Sequence, residues 1–166
     1  MILKDKKILL GVTGGIAAFK AASLVTGLKK QGAQVKVIMT EGATHFVSPL
    51  TFQTLSNNPV HIEQFDQMKN MDVEHIALAK WADIIVVAPA TANTIAKINW
   101  GIGDNLLTTV LLAKRCPVLI VPAMNTYMLK NEQTQKNLED LKKKGFLISS
   151  TQNDLLACGD VGQGKM

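Results

Sequence analysis

Asn125, within Pro122-Ala123-Met124-Asn125-Thr126-Tyr127-Met128, follows an apolar run over residues 117–121 with the composition of a buried strand. An uncharged amide where a strand opens into a loop can hold a carboxylate or another amide, in the crevice where open α/β sheets bind ligands. His75, in Asp72-Val73-Glu74-His75-Ile76-Ala77-Leu78-Ala79, stands close to a predicted helix start, where the helix dipole favours the neutral imidazole that acts as a base. Cys158 sits in the glycine-rich Ala157-Cys158-Gly159-Asp160-Val161-Gly162-Gln163-Gly164-Lys165-Met166. A thiol of ordinary acidity is largely protonated at neutral pH and can donate its proton. Each residue also has a plainer reading. Asn125 could be a turn residue bonding its own backbone, His75 a surface or packing residue, and Met124 and Met128 core filling. His45 and His61 lack a motif, and Cys116 beside Pro117 reads as a small buried hydrophobe.

Two further segments suit a polar, flat or anionic ligand. Thr13-Gly14-Gly15 follows the first apolar run, so a strand, a tight turn and a helix would present backbone N–H groups and a positive dipole end to a phosphate or another anion. The alternative is a tight turn whose glycines serve close packing alone. Ala88-Pro89-Ala90-Thr91-Ala92-Asn93-Thr94 places small, hydroxyl and amide side chains just past another predicted strand. They could hydrogen-bond a ring edge or a phosphate, or Thr91 or Asn93 could simply cap the next helix.

The elements that must carry these residues alternate along the chain. Residues 6–12 and 35–39 read as strands, 83–88 and 117–121 as strands covered on both faces, 60–62 as a short strand and 146–148 as a last one. Helices are predicted over 16–30, 50–55 behind Ser48-Pro49, 91–98, 105–113, and 132–144 capped by Asn131. Lys142, Lys143 and Lys144 then complement the last helix's dipole before Gly145 stops it. Such alternation predicts an α/β fold: a three-layer, doubly wound, Rossmann-like parallel sheet of about six strands with right-handed crossovers. Residues from Ser149 onward, rich in glycine, read as irregular and mobile.

With 166 residues, 47% of them hydrophobic, the chain can bury a core as one domain, residues 1–166, without disulfides or a structural metal. Cys116 and Cys158 are far apart, with no Cys-x-x-Cys and no His/Cys metal-ligand spacing, which fits a reducing cytoplasm. No apolar run approaches the roughly 20 residues of a membrane span. The formal charge of +5 is scattered, Arg115 is the single arginine, and the aromatic residues form no interleaved platform, so nucleic-acid binding is disfavoured. Gly11, Gly14 and Gly15 do not fit G-x-G-x-x-G, and no G-x-x-x-x-G-K-[ST] is present, so neither NAD nor ATP is favoured.

Taken together, Gly14-Gly15, the 88–94 segment, His75 in its His-Ile-x-Leu-Ala context, Pro122-Ala123-Met124-Asn125-x-x-Met128 and Cys158 resemble the flavin-dependent cysteine decarboxylase family over almost the whole length. Within it the chain looks most like the phosphopantothenoylcysteine decarboxylases of coenzyme A synthesis. The resemblance implies FMN as cofactor, held by Thr13, Gly14, Gly15, Thr40, Phe46, Pro89, Thr91, Asn93 and Thr94. It implies His75, Asn125 and Cys158 as the catalytic set, residues 149–166 as a substrate-covering flap, a homotrimer or dodecamer, and a phosphopantothenate-cysteine ligase partner, fused or separate. The family more often has Arg where Lys165 stands. Peptidyl-cysteine decarboxylases, which stop at an enethiol, are the nearest alternative, and a non-catalytic flavin-binding regulatory subunit or an NAD-binding oxidoreductase domain are further ones.

Overall fold

A computed structural model of the chain describes residues 1–62, 74–150, 152–155 and 161–166. In chain order the elements are β1 (Lys7–Val12), α1 (Ala18–Lys30), β2 (Gln34–Met39), α2 (Glu41–Thr44), α3 (Pro49–Ser56), β3 (Val60–His61), α4 (Glu74–Trp81) and β4 (Ile84–Ala90). They continue with α5 (Ala92–Trp100), α6 (Leu106–Leu112), β5 (Val118–Pro122), α7 (Thr126–Lys130), α8 (Glu132–Lys143), β6 (Leu147–Ile148), β7 (Gln152–Leu155) and β8 (Val161–Lys165). The first six strands form one parallel sheet in the order β3-β2-β1-β4-β5-β6, as the alternating pattern predicts.

Side-chain alternation along the strands divides the core between the two faces of this sheet. Ile8, Leu10 and Val12 of β1 join Val35, Val37 and Met39 of β2 against α1 and α3, through Ala18, Ala21, Val25 and Phe52. On the opposite face Leu9, Ile38, Ile85, Val87 and Ile120 meet Leu78, Ile95, Leu107, Val110, Leu138 and Leu141 from α4, α5, α6 and α8. Helices therefore cover both faces, which is why the central strands read as nearly continuous apolar runs. No helix among the described residues is long and apolar enough to cross a membrane.

Local chemistry starts and stops these helices largely as the residue types predict. Ser48 Oγ accepts from Leu50 N–H ahead of Pro49, and Asn131 Oδ1 accepts from Gln133 and Thr134 N–H at 3.0 and 3.4 Å. Asn105 and Thr108 form a reciprocal capping box at α6. Lys142 and Lys143 lie in the last turn of α8, just before Gly145.

Three features differ from the sequence expectation. Helix α1 begins at Ala18 rather than Ile16, because tight i→i−3 bonds from Ala18 to Gly15, Phe19 to Ile16 and Lys20 to Ala17 precede it. The short helices α2 and α7 were not anticipated; four and five residues are too few to display a helical period. Residues after Ser149 are not irregular throughout, since β7 and β8 pair as an antiparallel hairpin with Leu155 opposite Val161.

Candidate functional site

In a parallel sheet ordered this way, the chain leaves β1 toward β2 on one side while β4 lies on the other. The carboxyl ends of β1 and β4 therefore flank the topological switch point, the place where open α/β sheets bind their ligands. Thr13 stands there, directly after β1 and only 1% exposed. Its hydroxyl donates to Pro89 O at 2.7 Å and accepts from Thr91 N–H at 3.1 Å, so it spans the gap between the two strand exits. The Ala88–Pro89 peptide is cis. Thr91 in turn caps α5: its Oγ1 accepts from Thr94 N–H at 3.2 Å and lies 3.1 Å from Thr94 Oγ1. Thr94 and Pro89 are buried, Thr91 is half-buried, and Asn93 in the first turn of α5 is exposed.

The β1–α1 turn approaches the β2–α2 loop backbone to backbone. A Cβ at Gly14 would lie 2.8 Å from the carbonyl carbon of Gly42, so only glycine fits without displacing the loop. Thr40, directly after β2, donates its N–H to Val12 O at 3.0 Å and serves as N-cap residue of α2. Gly42 was not anticipated from the sequence; its signal was a small residue two positions after Thr40, meaningful only once the neighbouring turn is known. Phe46, after α2, is 47% exposed, and Ile16 and Phe19, which follow the glycine turn in the chain, are 56% and 57% exposed.

Asn125 lies beyond β5, on the opposite side of β4 from Thr13. The β5 exit is tied to β4 by Ala123 N–H donating to Ala90 O at 3.1 Å, and Asn125 Oδ1 accepts from Tyr127 N–H at 2.8 Å as the cap of α7. Capping and ligand binding are compatible, since the cap fixes how the amide is held. The C-terminal hairpin docks here: Met124 N–H donates to Gly164 O at 3.0 Å. Gly164 has φ +134°, and a Cβ on it would sit 2.1 Å from Met124 O. Two residues later, Met166 O accepts from Lys20 Nζ at 2.6 Å, so β8 links the β5 exit to α1. Gly164 is the second residue that sequence reasoning missed.

His75 occupies the first turn of α4, half-buried, as predicted. Its neighbour Glu74 bonds the Nδ1 of His61, and His61 is level with Ile38 near the carboxyl end of β2. The start of α4 therefore lies at the height of the strand exits, on the side of the sheet that holds α6. Hydrogen bonds join Thr13, Pro89, Thr91 and Thr94 directly. Gly14 and Gly15 adjoin the same switch point, Thr40 stands at the neighbouring β2 exit, and Asn125 and His75 stand after β5 and in the first turn of α4. Cys158 lies outside the described residues. Cys116, just before β5, is half-buried and packs on the core; burial pushes its thiol above the ordinary value, as an inert structural thiol requires.

A shallow cavity of about 320 Å³ opens elsewhere, between Lys97, Ile102, Leu112 and Phe146 near the amino end of β6. Its lysines are engaged, Lys97 with Asp104 and Lys114 over the Phe146 ring, and it has no link to the strand exits.

Residues 2–166 match the Flavoprotein family model. The coenzyme A biosynthesis bifunctional protein CoaBC of Vibrio vulnificus is 48% identical over 164 residues, which cover 99% of this chain and 41% of that protein. The chain thus spans less than half the length of the curated relatives it matches. Among solved structures, a cysteine-to-serine variant of PPC decarboxylase complexed with pantothenoylaminoethenethiol superposes with a TM-score of 0.84 at 32% identity, covering 98% of this chain and 91% of that one. The FMN-dependent cysteine decarboxylase SpaF superposes with a TM-score of 0.86 at 30% identity, covering 97% and 91%.

Proposed function

The chain belongs to the Flavoprotein family, and on that premise we propose that it is an FMN-dependent decarboxylase of 4′-phosphopantothenoylcysteine, acting in coenzyme A biosynthesis. The observation that carries this reading is the convergence of the glycine turn, the Pro89–Thr94 segment and Asn125 on the strand exits, in a chain that resembles PPC decarboxylase along nearly its full length.

The donor set suits FMN. The turn at Gly14-Gly15 has no side chains to obstruct an anion, the first turn of α5 offers the Ala92 and Asn93 N–H groups beside the capped Thr94, and Phe46 provides an apolar face for a ring. Thr13, Gly14, Gly15, Thr40, Phe46, Pro89, Thr91, Asn93 and Thr94 would hold it, Thr13 and Thr94 chiefly by placing backbone. When bound, the flavin supplies reversible two-electron oxidation of the substrate's cysteine moiety.

That chemistry is needed because the carbanion left by a departing carboxylate, beside an unoxidised thiol carbon, has no electron sink. In the net reaction the bond from Cα to the carboxylate breaks, carbon dioxide leaves and a proton takes its place, with no net redox change. Asn125 binds the carboxylate or amide of the cysteine moiety through its uncharged side chain and orients it above the sheet. His75 assists removal of the thiol proton and positions the substrate. Cys158 supplies the proton that completes 4′-phosphopantetheine, and residues 149–166 cover the substrate. The same reading places the enzyme in the cytoplasm as a homotrimer or dodecamer, working with a phosphopantothenate-cysteine ligase, fused or separate.

The test is carbon dioxide release from 4′-phosphopantothenoylcysteine by purified protein supplied with FMN, with phosphopantetheine identified by mass. Protein that folds but never takes up flavin would sink the proposal. A product that stops at the enethiol would instead move the chain among the peptidyl-cysteine decarboxylases. Cys158→Ser is expected to bind FMN normally and accumulate the enethiol.

A further inference from the structure

Thr13 is nearly inaccessible, yet its hydroxyl is hydrogen-bonded on both sides: it gives its one proton to Pro89 O and takes one from Thr91 N–H. A hydroxyl has a single donor, so this one has none left for a ligand. Its two partners lie on the far side of the switch point, at the end of β4 and the cap of α5. The bond to Thr91 continues into α5 through the contact of Thr91 Oγ1 with Thr94 N–H. On the near side, Thr13 O accepts from Gly15 N–H, which closes the glycine turn. One residue thus fixes two separate arrays of backbone N–H groups against each other: those of Gly14, Ile16 and Ala17 in the β1–α1 turn and those of Ala92 and Asn93 at the start of α5.

We infer that Thr13 is a positioning residue for the phosphorylated end of the bound cofactor. Its hydroxyl sets the separation of the two N–H arrays and thereby the preference for a phosphorylated over an unphosphorylated flavin, without touching either. The inference rests on the FMN reading above. A phosphate needs several donors aimed at one point, because its charge is compensated only where the N–H groups converge. Riboflavin, which lacks that charge, gains far less from their alignment. Removing the hydroxyl leaves Pro89 O and Thr91 N–H unpaired in a buried place, and the two strand exits lose their only side-chain tie among the described residues.

The experiment measures the dissociation constants of FMN and riboflavin for wild-type, Thr13→Ser and Thr13→Val proteins by flavin fluorescence, beside thermal unfolding without flavin. Wild type is expected to prefer FMN. Thr13→Ser should keep that preference within about threefold, and Thr13→Val should reduce it on the order of tenfold, chiefly by weakening FMN. A purely structural loss would weaken both flavins alike and leave their ratio unchanged, which would overturn the inference, as would an unaltered ratio in a stable Thr13→Val protein. Wild-type protein that binds neither flavin would reject the FMN reading itself, a different result. Amide exchange in wild type decides the matter should Thr13→Val not fold. The Thr91 N–H, already bonded to Thr13, should exchange slowly before FMN is added and no more slowly afterwards. Protection that arises only with FMN would show that the brace is not built in.

Discussion

At the scale of single residues, the cap that Asn125 forms can be separated from the substrate contact proposed for it. Its Oδ1 caps α7 through Tyr127 N–H, a role that an aspartate also fills. Asn125→Asp is therefore expected to leave flavin binding and melting temperature close to wild type. The added negative charge would meet the substrate carboxylate, however, and turnover should fall by roughly 10- to 100-fold or more, a change of the size carried by charged hydrogen bonds. Steady-state kinetics beside a thermal melt checks this. Asn125→Ala should lose turnover and, in addition, about 1 kcal/mol of capping. Cys116 behaves differently. Burial raises its thiol above the ordinary cysteine value, so the folded state keeps the proton longer than the unfolded chain does. Its contribution to stability is intact below that value and declines as the pH rises past it. Alkylation of Cys116 should accordingly begin at higher pH in the native protein than in urea, as peptide mapping of the modified thiol would show.

At the scale of elements, most of the frame was legible because the relevant signals are local. Residues 83–88 and 117–121 announced β4 and β5 by unbroken apolar composition, and Ser48-Pro49, Asn131 and Gly145 marked helix ends by their own chemistry. Asn125 and the glycine turn stood out because they fall where a strand becomes a loop. The docking of separate segments was not legible. Gly42 matters only through Gly14, Gly164 only through Met124, and nothing in either local sequence names the partner. The threonines pointed to a ligand, whereas their hydroxyls bind the protein's own backbone and one another, a pairing 78 residues apart in the case of Thr13 and Thr91. Gly164→Ala tests the hairpin dock. Its strained φ and the collision with Met124 O should part β8 from the β5 exit. Hydrogen exchange at Met124 N–H would then quicken on the order of tenfold, equivalent to about 1.4 kcal/mol, while the amides of β1 and β4 stay protected.

At the scale of the whole molecule, two separate apolar cores clamp one sheet, and the proposed ligand crevice lies at the carboxyl ends of its central strands rather than within either core. Filling that crevice should stabilise the fold without rearranging it. With FMN at 100 times its dissociation constant the gain is about 2.7 kcal/mol, which for a domain of this size raises the melting temperature by roughly 5–10 °C. A scanning-calorimetry titration reads it directly, and riboflavin should give less. The contact between the β1–α1 turn and the β2–α2 loop is lopsided: a methyl group on Gly14 strikes main chain at 2.8 Å, whereas one on Gly42 meets nothing nearer than 3.5 Å. In a saturation library sorted for active clones, position 14 should return almost a single codon family while position 42 admits alanine, so one partner of a touching pair is frozen and the other free to drift.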